Sequence, residues 1–156
     1  MEDMKIINLD KNFVIDNFEQ LKEVKKGCKI EENYPWTLEN FLMEINNKWK
    51  YSLAYLSENN EITGFIIASE KIEGIIHIHS FYTKEKYRGT GIGSRLFEAL
   101  SKKARENNIN NMSIWAYEKT PAFVFYKKLG FVETENRIRD NKLEDFNVYM
   151  IVKKKI

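Results

Sequence analysis

Cysteine, proline and histidine are all scarce in this sequence. Cys28 is the single cysteine among 156 residues, so no intramolecular disulfide can form. That suits a reducing compartment and makes the cytoplasm the expected location. His77 and His79 are the only histidines. Two imidazoles with no third ligand suggested do not make a metal site, and no metal is expected. Pro35 and Pro121 are the only prolines, and no repeat, linker or low-complexity tract interrupts the chain. Residues 1–156 therefore read as one domain. No stretch approaches the roughly 18 apolar residues of a membrane-spanning helix. Met1 to Lys5 is followed by no apolar run of signal-peptide length. An excess of one charge is missing too. With 25 basic and 23 acidic residues the net charge is +2, too small to point to nucleic acid or a membrane surface.

What the sequence does contain is apolar material in recognisable periods. Hydrophobic residues make up 43%, enough for a sizeable core. Lys5–Leu9 reads as a first strand and Phe13–Lys26 as a helix with Phe13, Phe18, Leu21 and Val24 inward. Thr37 is placed to cap a second helix carrying Leu38, Phe41, Leu42 and Ile45. Trp36 and Phe41 occupy the two positions of a hydrophobic staple. Tyr51–Ser57 and Ile62–Ser69 read as a hairpin, and Ile75–Thr83 as a third long strand. Gly91–Asn107 is an amphipathic helix with Ile92, Leu96, Leu100 and Ala104 on one stripe. Asn111–Tyr117 is a strand. Thr120-Pro121 opens a short helix that Gly130 closes. Phe131–Ile138 and Phe146–Lys153 are the last strands, joined by a polar loop. The order predicts an α/β protein with a mixed sheet, α+β in character, of about seven strands and four helices.

Strand Ile75–Thr83 runs through Lys84 to Arg88 into Gly89-Thr90-Gly91-Ile92-Gly93 and then into the long helix. Glycines at alternate positions let backbone N–H groups converge without side chains in the way. The helix N-terminus adds partial positive charge, so a diphosphate is the natural guest. The spacing excludes two common phosphate motifs. The dinucleotide fingerprint would need a third glycine where Ser94 stands, and the nucleotide P-loop would need Gly-Lys-Ser/Thr.

Arg, two residues, Gly, one residue, Gly resembles the acetyl-coenzyme A motif of the GNAT N-acetyltransferases. Phe81-Tyr82-Thr83-Lys84-Glu85-Lys86-Tyr87-Arg88-Gly89 follows that family's strand-and-turn pattern, with Glu85 where a proline is usual. A second block, Thr120-Pro121-Ala122 and Phe125-Tyr126-Lys127-Lys128-Leu129-Gly130-Phe131, lies in the family's order. The resemblance implies the acyl-CoA N-acyltransferase fold, with the sheet split beside the pantetheine arm. It implies that the arm lies on the backbone of Phe81, Tyr82 and Thr83. The pyrophosphate would sit on Arg88, Gly89, Thr90, Gly91, Ile92, Gly93 and Ser94. Lys119 stands where a cofactor-contacting asparagine is frequent. The implied activity is direct transfer of acetyl from acetyl-CoA to an amine, without an acyl-enzyme.

The amine sets the chemical problem. An alkylamine of pKa about 10.4 is less than about 0.1% unprotonated at pH 7, so a base is useful. The leaving thiolate needs a proton. By residue type Tyr126 is a core aromatic on an amphipathic helix. By resemblance it is the family tyrosine near the sulfur, and thus the expected acid. His77 and His79 sit two apart, which period two puts on one face with Phe81 and Thr83. Either can be structural, or a base that titrates near neutrality. His77 to Thr83 resembles the paired-histidine strand of the arylalkylamine N-acetyltransferases. The region around Pro35-Trp36 resembles the ribosomal-protein alanine N-acetyltransferases. At the position of the strand glutamate associated with base function in that group this chain has Ile114, which argues against the same proton path and weakens a protein N-terminus as the acceptor. The expected acceptor is a small-molecule primary amine. The alternatives are a protein N-terminus or lysine, or a non-catalytic acetyl-CoA-binding sensor. A monomer or homodimer is expected.

Other features have plainer readings. Tyr34, Trp36 and Trp115 can wall an acceptor pocket, although the staple favours a structural Trp36. Cys28 reads as a small half-buried residue, and Glu118 as a solvated strand end. Lys102, Lys103, Arg105 and the Lys153–Lys155 tail read as solvated faces, the first group within reach of a cofactor phosphate.

Overall fold

Seven strands pair into one sheet. The computed structural model describes residues 5–28, 31, 35–140, 146–154 and 156. Its strands are β1 (Lys5–Asn8), β2 (Leu53–Leu56), β3 (Ile62–Ile72), β4 (Ile75–Thr83), β5 (Asn111–Tyr117), β6 (Val132–Asp140) and β7 (Phe146–Lys154). They lie in the order β1-β2-β3-β4-β5-β7-β6. Every neighbouring pair is antiparallel except β4 and β5. A parallel pair needs a crossover, and the amphipathic stretch after the glycine turn supplies it. The helices are α1 (Lys11–Asp16), α2 (Phe18–Lys25), α3 (Leu38–Leu42), α4 (Lys48–Tyr51), the crossover α5 (Ile92–Glu106) and α6 (Pro121–Lys128).

Alternation along the strands divides the core in two. On one face Leu53, Ile66, Ile76, Ile78, Met112 and Ile114 pack under α5 and α6, through Leu96, Leu100, Phe123 and Tyr126. On the other, Ala54, Phe65 and Ile67 pack under α1, α2 and α3, through Val14, Leu21, Val24 and Phe41.

The predicted single helix over 13–26 is two helices. Both the backbone N–H and the side-chain amide of Asn17 donate to the Phe13 carbonyl, at 3.0 and 2.9 Å. An Asn side chain competing for a helix carbonyl ends the first turn sequence there. The strand expected from Tyr51 begins at Leu53, because α4 runs to Tyr51. Lys48 anchors α4. Its buried ammonium donates to the carbonyls of Phe41 and Met43 at 2.5 and 2.8 Å, closing the open end of α3. The caps stand as the residue types require. Thr37 and Asn40 form a reciprocal capping box, and the Trp36 and Phe41 rings meet edge-on at 5.0 Å. Thr120 accepts from the Phe123 N–H at 3.2 Å with Pro121 in the first turn.

Two irregularities shape the middle of the sheet. β4 and β5 pair only from Ile75↔Asn111 to Ile78↔Ile114. Beyond that, β4 stays with β3 as far as Thr83, and β5 stays with β7 as far as Tyr117. The sheet therefore splits. At the same place β4 bulges: Ile67 faces Ser80 and Ala68 faces Ile78, leaving His79 without a partner on β3.

Candidate functional site

The bulge corrects one expectation from the sequence. His77 and His79 do share a face, with ring centroids 4.9 Å apart. Phe81 does not join them. One extra residue flips the alternation, so Phe81 packs with the α5 cluster while Tyr82 packs with the α2 cluster. Thr83 also lies on the α5 side, beside Gly93.

The two histidines hold serines on the adjoining strands. His79 Nε2 lies 2.7 Å from Ser69 Oγ on β3, and His77 Nδ1 lies 2.8 Å from Ser113 Oγ on β5. Both rings are neutral at pH 7. Burial lowers each to about 4; Lys71 adds to the effect at His77, and the neighbouring imidazole, Lys48 and Lys71 add to it at His79. Next along β4, Ser80 is 5% exposed and its hydroxyl has no partner among the described residues.

Tyr126 reaches the split from the other face. It is 7% exposed and stacks on Phe81 with centroids 6.0 Å apart. Burial raises its phenol well above the ordinary value, so it remains a proton donor. Ile114, also 5% exposed, points into the α5 cluster, so β5 presents no carboxylate at that position. Trp115 is on the opposite side and 37% exposed. Tyr34 and the 141–145 loop lie outside the described residues.

The glycine turn starts where β4 ends. Gly89 and Gly91 have φ of +79° and +90°, the left-handed region that favours glycine. Gly91 is the N-cap of α5 and offers no side-chain cap. The first intrahelical acceptance is Arg95 N–H to the Gly91 carbonyl, which leaves the N–H groups of Ile92, Gly93 and Ser94 directed outward. Gly93 has a different reason to be glycine. A Cβ there would stand 3.2 Å from Phe125 and 3.6 Å from Thr83 Oγ1, so it lets α5 approach β4 and α6 closely. Arg88 is exposed, and its Nε donates to the Thr83 carbonyl at 3.1 Å. Thr90 is turned back onto the Tyr87 carbonyl. Lys119 has φ of +61°, a conformation that asparagine adopts more readily than lysine. The cradle thus has open N–H donors, an arginine at its rim and no side chain filling it, which fits a diphosphate. Beyond Ile78, the edge of β4 that β5 leaves unpaired offers backbone groups that fit an amide-containing arm.

Sequence reasoning missed a cluster beside Tyr82. Lys25 is 2% exposed, and its ammonium pairs with Glu31 at 2.5 Å. The ammonium lies 4.7 Å from the Trp36 ring centroid, 5.1 Å from Tyr82 and 5.6 Å from Phe41. Burial lowers its pKa while Glu31 opposes the shift. Cys28 Sγ is 3.9 Å from the Tyr82 hydroxyl. Lys25 stands four residues after Leu21 on the inward face of α2, but its residue type reads as solvated and no local signal gives the partners of its charge. An open recess of about 450 Å³ lies elsewhere, on the outer flank of α5, lined by Ile6, Tyr55, Ser94, Arg95 and Glu98. It contains neither histidine nor Tyr126. Among the described residues no group of three histidine, cysteine or acidic side chains is placed to hold a metal, and no helix is long and apolar enough to cross a membrane.

A parallel pair that splits beside a helix-borne anion cradle is the arrangement that the resemblance to the GNAT N-acetyltransferases implies. The model of the acetyltransferase (GNAT) domain matches residues 30–151, and the chain belongs to that family. It is an acetyl-CoA-dependent N-acetyltransferase. The [ribosomal protein bS18]-alanine N-acetyltransferase of Haemophilus influenzae is 27% identical over 121 residues, covering 78% of this chain and 79% of that one. Among solved structures, Ard1 from Thermoplasma volcanium is 21% identical, covers 99% of each chain and has a TM-score of 0.82. PaiA N-acetyltransferase from Thermoplasma acidophilum, in complex with coenzyme A, is 20% identical over 97% of this chain and 98% of that one, with a TM-score of 0.70.

Proposed function

We propose that the chain, as one domain, acetylates the α-amine of a polypeptide. The observation that carries this reading is the weakness of the two bases described at the split. His77 and His79 are buried on serine partners, and burial lowers each to about 4. Such weak bases serve an acceptor that is already partly deprotonated. An α-amine of pKa about 7.7–8.0 is roughly a tenth free at pH 7, against less than about 0.1% for an alkylamine. The ribosomal-protein alanine N-acetyltransferase, with its comparable length, supports the same acceptor class.

In this reading the N–H groups of Gly91 to Ser94, with Arg88, Gly89 and Thr90, hold the pyrophosphate. The unpaired edge of Phe81, Tyr82 and Thr83 holds the pantetheine arm. Backbone N–H groups at the bulge polarise the thioester carbonyl. The amine attacks directly. His79 takes the released proton through water, with His77 behind it, and Tyr126 donates its phenolic proton to the departing thiolate. Lys119 borders the cofactor at the end of β5.

The resemblance of His77 to Thr83 to the paired-histidine strand of the arylalkylamine N-acetyltransferases favours a second reading, a small-molecule primary amine. Thiol release from acetyl-CoA separates the two. Peptides with a free N-terminus are expected to turn over, while N-blocked peptides and simple alkylamines are not. Turnover of alkylamines alone would overturn the polypeptide reading. Tight acetyl-CoA binding with no turnover of any amine would make the protein a binding module.

A further inference from the structure

Glu61 grips the approach to the glycine turn from another part of the sheet. It stands in the connection between β2 and β3, and its backbone is fixed there. Its N–H donates to Ser57 Oγ at 3.1 Å, and its carbonyl accepts the Ser57 N–H at 2.9 Å. From that base the carboxylate reaches the segment between β4 and Arg88. Oε1 accepts the Tyr87 hydroxyl at 3.1 Å, while Oε2 lies 3.3 Å from the Lys84 ammonium and 3.4 Å from that of Lys86. One side chain thus holds Lys84, Lys86 and Tyr87. The hold passes into the turn, because the Tyr87 ring packs against the α5 cluster and its carbonyl accepts both the N–H and the hydroxyl of Thr90. Partial burial acts to raise the Glu61 pKa, but the bonds from Tyr87 and Lys84 outweigh it and hold the carboxyl below its ordinary value. It is therefore charged at neutral pH.

A carboxylate here has the wrong sign for attracting phosphates. By charge alone Glu61 opposes an anionic cofactor, directly and by neutralising Lys84 and Lys86. Geometry supplies the opposite effect. Gly89 and Gly91 leave the turn with unusual backbone freedom, and a turn already fixed in one conformation loses less entropy when it binds.

We propose that Glu61 is a positioning residue for acetyl-CoA, which through Tyr87 fixes the turn from Arg88 to Ser94 in its binding geometry before the cofactor arrives. The inference rests on that turn holding the cofactor pyrophosphate. It places Glu61 in contact with neither the cofactor nor the reacting atoms.

Two variants separate geometry from charge. Glu61→Leu and Glu61→Gln remove the same negative charge, but only glutamine still accepts from the Tyr87 hydroxyl. The Kd of acetyl-CoA, read by calorimetry, is expected to rise about tenfold in Glu61→Leu, as the binding-competent fraction of the turn falls to about a tenth. In Glu61→Gln it should stay within about threefold of wild type, since exposed ion pairs contribute little. Tyr87→Phe should also weaken binding, and combining it with Glu61→Leu should add less than about twofold to the loss in Glu61→Leu alone. At saturating acetyl-CoA and acceptor, kcat should stay within about threefold in every variant. Equal Kd values for the leucine and glutamine variants overturn the proposal. So does wild-type or tighter binding in Glu61→Leu, the result that charge alone predicts, and so does a fall in kcat as large as the loss of affinity. If Glu61→Leu does not fold, Tyr87→Phe decides, and an unchanged Kd there overturns the proposal. Gly91→Ala tests the underlying site: weakened binding in that variant with none in Glu61→Leu rejects the role of Glu61 alone, whereas unchanged binding in both rejects the turn as the pyrophosphate site.

Discussion

Replacing His77 and His79 by glutamine together should flatten the pH dependence of stability. Burial holds both imidazoles at about 4 in the folded protein, against 6.5 for an ordinary histidine. A histidine with a depressed folded pKa favours the folded state while neutral. That contribution is fully present above about pH 6.5 and is lost as pH falls toward 4. Between pH 8 and pH 5 the linkage relation gives about 2 kcal/mol per histidine. The rings are not fully buried, so about half of that, ~1 kcal/mol each, is the expected loss. The pair should account for about 2 kcal/mol. Urea denaturation at pH 8, 6.5 and 5 measures it in wild type and in the double variant. The carboxylates titrate in both proteins, so the difference between the two slopes isolates the histidines. Equal slopes would refute the reasoning, because they would mean that neither ring is held neutral by the fold. The same depression predicts that kcat/KM with an α-amine acceptor falls on the acid side through the amine's own pKa, leaving no inflection near 6.5.

Tyr126→Phe keeps the ring on Phe81 and removes the phenolic proton; kcat should fall about 10²-fold or more with acetyl-CoA binding intact, as read by single-turnover kinetics and calorimetry. Wild-type kcat in that variant would remove Tyr126 from the reaction. Gly91→Ala meets no neighbouring atom within 4 Å, so its effect is conformational: φ of +90° costs a non-glycine residue roughly 1–2 kcal/mol. It should lower Tm by a few degrees and weaken acetyl-CoA binding about tenfold, whereas unchanged binding would exclude the turn from the cofactor site. Phe41→Ala empties a fully buried site where the ring meets Trp36, Phe18 and Phe65; a loss of about 3–5 kcal/mol is expected in chemical denaturation, and less than ~1 kcal/mol would mean the cluster closes over the gap.

Much of the architecture was legible because it is locally encoded. Ile75–Thr83 and Asn111–Tyr117 form strands at those bounds, and Thr37 and Thr120 cap as their side chains and spacing dictate. The glycine turn announces itself because φ of +79° and +90° leave few residue choices. Three features were hidden because they depend on distant partners. The bulge at His79 is a mismatch between two strands, visible in neither alone, and it turns Phe81 away from the histidines. Helix α4 depends on Lys48 reaching the carbonyls of α3. Lys25 shares the inward face of α2 with Leu21 and Val24, but its charge is matched there by Glu31, Trp36, Phe41 and Tyr82, which converge on it from other elements. Asn17 lies between these cases: a helix break there was readable from its residue type, but a continuous apolar stripe masked it.

The parting of β4 from β5 has a mechanical consequence. Only four register pairs, Ile75↔Asn111 to Ile78↔Ile114, stitch the two halves of the sheet together. A ligand that hydrogen-bonds along the vacant margin serves as a temporary extra strand. In the proposed mode of cofactor binding, each catalytic cycle would complete the sheet and open it again. Amide exchange at residues 79–83 should slow on acetyl-CoA binding, as the closing of a seam, while exchange in β1 and β2 should hardly change.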